Sequence, residues 1–302
     1  MKYTVFSNFT NKNIQQLITC NMKKRITQFI TALCLLAAPA TSSLAQVTAN
    51  PYRADVNKDG EVNIGDVSRI ITVMANGNTR IKDLSPEGAE AVDMGFPSGT
   101  KWANMNVGAN SPEDYGLFFA WAETTGYEGD ASDGRVFGWE QYKWMSEGGS
   151  SWEQINKYQI SDGRIAACWY DDEGKYTGDS KVVLGMEDDA ALTHWGVKWR
   201  TPTYAELEEL KDFSNASWTK KNGVDGLQLT SKINGNSIFL PAAGYRTDSS
   251  VEDKGGSGNY WASTLRSTDT IVAGCLIVSS AGASMSYTER LGGRSIRPVL
   301  QK

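Results

Sequence analysis

The chain has 302 residues, with 30 Lys and Arg against 35 Asp and Glu, for a formal net charge of −5. Residues 1–45 hold five basic residues and no acidic ones, so removing them takes the charge to −10. An acidic chain with no basic patch to release counterions excludes nucleic acid and anionic membrane surfaces as partners.

From Met22 the pattern is that of a signal peptide. Lys23, Lys24 and Arg25 precede an apolar run over 26–38, and Ser43-Leu44-Ala45 places small residues at −3 and −1 of a cleavage site. This predicts a true start at Met22, with 1–21 an upstream extension, and an exported chain of residues 46–302. The apolar run is too short to span a bilayer, and no transmembrane segment is expected later. The product is therefore expected to be secreted or held at the cell surface or envelope.

Residues 55–66 read Asp-Val-Asn-Lys-Asp-Gly-Glu-Val-Asn-Ile-Gly-Asp. Side-chain oxygens stand at loop positions 1, 3 and 5 (Asp55, Asn57, Asp59), and Gly60 stands where the chain turns sharply. Glu61 offers its backbone carbonyl, Asn63 acts directly or through water, and Asp66 closes the shell with a carboxylate. This donor set predicts a Ca2+ site. Val67, Ile70, Ile71 and Met74 then recur on one helical face, and Asn76-Gly77-Asn78 stops that helix. The segment 50–78 forms one unit, and 79–90 is a linker.

The third part, 91–302, holds all ten tryptophans and is long enough for one sizeable core. The run Gly95-Phe96-Pro97-Ser98-Gly99-Thr100-Lys101-Trp102 predicts a hairpin, and Ser111-Pro112-Glu113-Asp114 a short helical turn. Thr203-Tyr204-Ala205-Glu206 is a capping box that predicts a helix to about Phe213. Ile238-Phe239-Leu240, 270–279 and 295–300 read as strands. Two cysteines survive maturation, Cys168 and Cys275, in apolar contexts that suit either a disulfide or two separate core thiols.

Residues 50–78 closely resemble one repeat of a type I dockerin, which also uses Asp at loop position 12. Cohesin-binding dockerins carry two such repeats and this chain carries one, so a cohesin partner is not expected. The larger part resembles the Fibrobacter succinogenes major paralogous domain. The resemblance rests on Asp114-Tyr115-Gly116, Phe119-Ala120-Trp121-Ala122-Glu123-Thr124, Trp195-Gly196, Trp199-Arg200-Thr201-Pro202-Thr203, Pro241-Ala242-Ala243-Gly244-Tyr245-Arg246, Tyr260-Trp261-Ala262-Ser263-Thr264 and Arg294-Ser295-Ile296-Arg297-Pro298-Val299. It implies a C-type-lectin-like or formylglycine-enzyme-like fold. The expected class is therefore α+β, a small calcium loop-helix followed by a mixed domain of short strands and long loops.

For catalysis the chain offers one histidine, His194, and no Gly-x-Ser-x-Gly elbow. Cys168 and Cys275 do not sit in motifs of the formylglycine-generating type. The acidic runs Asp171-Asp172-Glu173 and Glu187-Asp188-Asp189 read as solvated loops, although a carboxylate pair for glycoside hydrolysis is set by space and not by spacing. For recognition, Trp139, Tyr142, Trp144 and Trp152 lie in a Gly/Ser-rich segment and are the surface candidates for stacking on a ligand. The Glu-Pro-Asn, Gln-Pro-Asp and Trp-Asn-Asp motifs of calcium-dependent sugar binding are absent from the sequence. Arg200, Arg246, Arg294 and Arg297 are expected to tie loops down on carboxylates; lining a ligand cleft is their other reading. The expected protein is a non-enzymatic, calcium-binding recognition protein for a glycan or a surface protein. A component of polysaccharide degradation and a structural envelope or fimbria-associated subunit are the alternatives.

Overall fold

A computed structural model describes residues 83–130, 132–161 and 169–301. The expected signal peptide, the expected calcium loop with all its candidate ligands, the helix expected after it and Cys168 lie outside the described residues.

The described chain is mainly β. It carries twelve strands: β1 (Ala91–Asp93), β2 (Lys101–Ala103), β3 (Trp199–Arg200), β4 (Ser214–Lys221), β5 (Val224–Ser231), β6 (Ser237–Pro241), β7 (Tyr245–Thr247), β8 (Ser250–Glu252), β9 (Ser257–Arg266), β10 (Asp269–Ser279), β11 (Gly282–Glu289) and β12 (Val299–Leu300). Two α-helices accompany them, α1 (Ala190–Trp195) and α2 (Tyr204–Asp212). The strands form sheets of order β1-β2-β12-β3, β11-β10-β9, β4-β5-β6 and β7-β8, all paired antiparallel.

Two of these sheets face each other as a sandwich. Leu227 and Leu229 of β5, Ile238 and Leu240 of β6, Tyr260 and Ala262 of β9, and Leu276 and Val278 of β10 share one buried cluster. Each pair is two residues apart, which is the strand period and puts both side chains on one face. The opposite faces of β9 and β10 are buried too, since Trp261, Leu265, Ala273 and Cys275 belong to a second cluster with Trp121, Trp195 and Trp199. Burial on both faces explains why β10 is a nearly continuous apolar run from Ile271 to Val278.

The expected α+β class is thereby corrected to a mainly β, sandwich-like fold. The physical reason is the period of the apolar positions, which is two over most of the core and helical only in the short helices α1 and α2, where Ala191, Trp195, Leu207 and Leu210 are buried. Helix α1 lasts six residues and ends at Gly196, whose φ of +86° breaks the helical run. The helical turn expected at Ser111 is a simple turn closed by the Asp114 amide on the Ser111 carbonyl at 3.2 Å. The capping box at Thr203, the hairpin after Gly95 and the strands around Phe239 and Cys275 are as expected.

The segment 290–298 is irregular yet wholly buried, and it joins the parts of the fold together. Buried irregular backbone needs partners for its polar groups. Arg294 exchanges backbone bonds with Phe119 at 2.9 Å, Gly293 with Arg246 at 2.9 Å, and Ser295 accepts from Trp261 at 3.0 Å. Gly244 shows how tight this centre is. Its φ is +76°, and a Cβ there would stand 2.2 Å from the Glu252 carbonyl oxygen.

Candidate binding site

The site grows from a buried carboxylate. Glu123 is 4% exposed and receives Arg135 Nη2 on both oxygens, at 3.0 and 3.1 Å, and the Lys143 amide at 2.8 Å. The Gln141 side chain accepts the Val136 amide at 3.0 Å, and its carbonyl accepts from Arg135 Nη1. These bonds fix the single 3-10 turn Trp139–Gln141 between them.

Tyr142 follows the turn and is pinned from below. Its hydroxyl donates to the Trp121 carbonyl at 2.7 Å and accepts from Arg290 Nε at 2.8 Å. Burial pushes this phenol well above its ordinary range, with the Arg290 charge pulling the other way. The chain then reaches a bridge between Met145 and Ile155, where the Ser146 amide donates to the Gln154 carbonyl at 2.8 Å. Gln154 also accepts the amides of Ser150 and Ser151 through its side chain, at 2.9 and 3.3 Å. The Gly148-Gly149 turn is held in shape from its own base.

Between the Trp139 turn and this loop lies a cavity of about 500 Å³, lined by Glu140, Tyr142, Met145, Ser146, Gly148, Gly149 and Ser150. Pockets for small ligands run from about 300 to 1,000 Å³. Among the described residues, no hydrogen bond engages the side chains of Glu140, Ser146 or Ser150. One carboxylate and two hydroxyls without intramolecular partners thus belong to residues that line the space, together with Tyr142 and Met145. That arrangement supplies acceptors and hydroxyl donors around apolar surface, and no acid–base pair.

The four aromatic candidates are placed differently from one another. Trp139 and Tyr142 meet edge to face with centroids 6.0 Å apart. Tyr142 is 3% exposed, so it contributes a wall and not a surface platform. Trp144 donates to the Ala122 carbonyl at 2.8 Å, and the ammonium groups of Lys143 and Lys157 both stand 4.3 Å from its ring centre. Its half-buried ring thus holds cations. Trp152 is half-buried against Trp169 at 5.9 Å. Glu140, Met145, Ser146 and Ser150 carry no residue-type signal of their own in the sequence. The run Ser146-Glu147-Gly148-Gly149-Ser150-Ser151 between two tryptophans was the available signal.

The other chemical candidates have structural partners. Asp188 receives the Tyr158 hydroxyl at 2.6 Å and pairs with Lys157. Burial lowers the Lys157 pKa, but Asp188 and Glu187 outweigh it and hold the ammonium above its ordinary value. Asp189 caps α1 through the Ala191 amide at 2.9 Å and takes the Thr201 hydroxyl at 2.8 Å. Asp171, Asp172 and Glu173 are exposed in one turn, as expected. His194 shares a 2.9 Å hydrogen bond with the Thr124 carbonyl and packs edge-on to Phe119. Burial pushes the Cys275 thiol up to about 11, which keeps it protonated and unreactive. No cluster of three or more His, Cys, Asp or Glu suited to a metal occurs among the described residues.

The four arginines divide. Arg200 pairs with Glu206 and Arg246 with Asp133, both through two nitrogens, as expected. Arg297 and Arg294 pair with no carboxylate among the described residues. Comparison with protein-family models, with curated proteins and with solved structures gave no match in any of the three.

Proposed function

We propose that this chain is an exported or cell-surface, non-enzymatic recognition protein that binds a neutral glycan in the cavity beside Trp139. The observation that carries this reading is the set of unengaged Glu140, Ser146 and Ser150 side chains around a 500 Å³ space walled by Tyr142 and Met145. A sugar has apolar C–H faces and a ring of hydroxyls that both donate and accept. Glu140 accepts only, the serines do both, and the aromatic wall meets the C–H faces. The acidic lining and the acidic chain favour a neutral sugar over an anionic one. A glycan array probed with the mature chain is the test. Glu140→Gln and Ser150→Ala should each weaken a hit about three- to tenfold, the worth of one hydrogen bond, with Tm unchanged. Equal affinity in both variants would place the binding elsewhere.

The proposal includes a calcium ion held at 55–66 by Asp55, Asn57, Asp59, Glu61, Asn63 and Asp66, on the strength of the donor spacing. It also includes the relationship to a dockerin repeat over 50–78 and to the Fibrobacter paralogous domain over 91–302. Calorimetry on the mature chain should give one saturable calcium site, with no measurable heat from Asp55→Ala or Asp59→Ala. Undiminished binding in those variants would remove the loop from the account.

A further inference from the structure

We infer that Tyr204 and Tyr287 form a site of oxidative modification, where a peroxidase-type oxidant joins the two phenols into a dityrosine cross-link between α2 and β11. Tyr204 is the first residue of α2, and Tyr287 lies near the end of β11. Their ring centroids are 4.9 Å apart and their planes are 9° from parallel. The two phenols also interact through their hydroxyls, so both rings point the same way.

The sheet makes a seat for this stack. Tyr287 pairs with Gly274 across the β10–β11 ladder. Glycine inside a strand weakens it and marks a close approach. Here a Cβ at Gly274 would stand 2.5 Å from Tyr204 Cδ2, so the missing side chain is the space that the Tyr204 ring fills. The Tyr204 amide donates to Thr264 Oγ1 at 3.3 Å, and the Arg266 guanidinium carbon stands 5.4 Å from the Tyr287 ring centre. Both rings are thereby held in place. Tyr287 is nevertheless 37% exposed, which gives an oxidant access to one member of the pair.

Tyr170 and Tyr176 are the other close tyrosine pair among the described residues. Their planes meet at 66° with centroids 5.6 Å apart, and the Tyr176 hydroxyl donates to the Gln159 carbonyl at 2.6 Å. Rings that meet edge-on do not lay ortho carbon against ortho carbon, whereas parallel stacked rings do. The oxidant is hydrogen peroxide acting through a haem peroxidase. It takes one electron from each phenol, and each phenol proton passes to water. The unpaired electrons are shared onto the ortho carbons, and a C–C bond forms between one Cε of each ring. The hydrogen on each bonded carbon then moves to the phenol oxygen, which restores both aromatic rings and both hydroxyls. Two phenols and one hydrogen peroxide thus give one dityrosine and two waters. Holding the rings together beforehand replaces the diffusive encounter of two radicals.

The test treats the full chain with hydrogen peroxide and a haem peroxidase, then reads dityrosine fluorescence, the oligomeric state and the cross-linked peptides. The monomer should yield one cross-linked peptide pair, joining Tyr204 to Tyr287 with the loss of two hydrogens. Tyr204→Phe and Tyr287→Phe keep both rings and remove one phenol, and each should cut the monomer's dityrosine fluorescence at least by half. Wild type unfolded in urea should yield less than the folded chain, because folding supplies the stack. A bond mapped to Tyr170 and Tyr176 or to any other pair would overturn the inference. So would cross-links found only between copies, an undiminished signal in the variants or in urea, or no dityrosine at all. If either variant does not fold, the wild-type peptide map decides by itself which tyrosines carry the bond.

Discussion

Replacing Arg297 by methionine is expected to cost about 4 kcal/mol of stability, the balance of several uncompensated buried acceptors at about 1–3 kcal/mol each. The side chain is fully buried, and each nitrogen serves a different part of the fold. Nε donates to Asn106 Oδ1 at 2.9 Å, Nη1 to the Ala103 carbonyl at 3.1 Å and Nη2 to the Phe239 carbonyl at 2.8 Å. Methionine fills a similar volume but leaves these acceptors without donors. Part of the loss is offset, because the variant no longer buries a charge; burial pushes the Arg297 pKa down to about 10, against an opposing effect of Tyr260. Urea unfolding at neutral pH reads the difference as a shift of midpoint at constant slope. A loss under about 1 kcal/mol would mean that the carbonyls find water and that the arginine is not the tie between β2 and β6.

Glu206→Gln is expected to cost about 3 kcal/mol at pH 7, from a carboxyl held about 2.5 pH units below its ordinary value. Burial raises the Glu206 pKa, but Arg200 outweighs it through paired bonds at 2.6 and 2.7 Å, aided by the Thr203 amide at 2.9 Å and the Thr100 hydroxyl at 2.8 Å, and the result is about 2. A carboxyl with a depressed folded pKa stabilises the fold above its unfolded pKa, here 4.5, and that contribution disappears as pH falls toward 2. Wild type should therefore lose stability steeply between about pH 4.5 and 2, and Glu206→Gln should lose markedly less over that window. Parallel slopes in the two proteins would show that other carboxylates carry the acid sensitivity.

How much of this was readable beforehand depends on the range of the interaction. The α2 capping box is a local device of four residues, and both Thr203 and Glu206 act as their spacing requires. Asn222-Gly223 is another local device. It closes the β4–β5 hairpin as a two-residue loop with φ of +48° and +86°, the conformation that Asn-Gly favours. Reading that signal together with the period-two pairs in β5 and β6 would have moved the expected class from α+β toward β. The cavity was half readable. Its Gly/Ser loop and flanking tryptophans stand out in the sequence, but that Tyr142 faces inward depends on Trp121 and Arg290, 21 and 148 residues away in the chain. The arginines show the same limit. Arg200 finds Glu206 six residues on, whereas the Asp133 partner of Arg246 lies 113 residues off and the partners of Arg297 lie 58, 191 and 194 residues off.

The most direct measurement of the central claim is an amide and indole NMR titration of residues 46–302 with the strongest neutral glycan from the array. The account predicts that the amides of Ser146, Gly148, Gly149 and Ser150 and the indole of Trp139 move together and saturate at one concentration. The indoles of Trp121 and Trp261, which donate to the carbonyls of Ala262 and Phe119 at 2.8 Å, should stay still. Saturating shifts confined to another face, or none in the 146–150 loop, would contradict it.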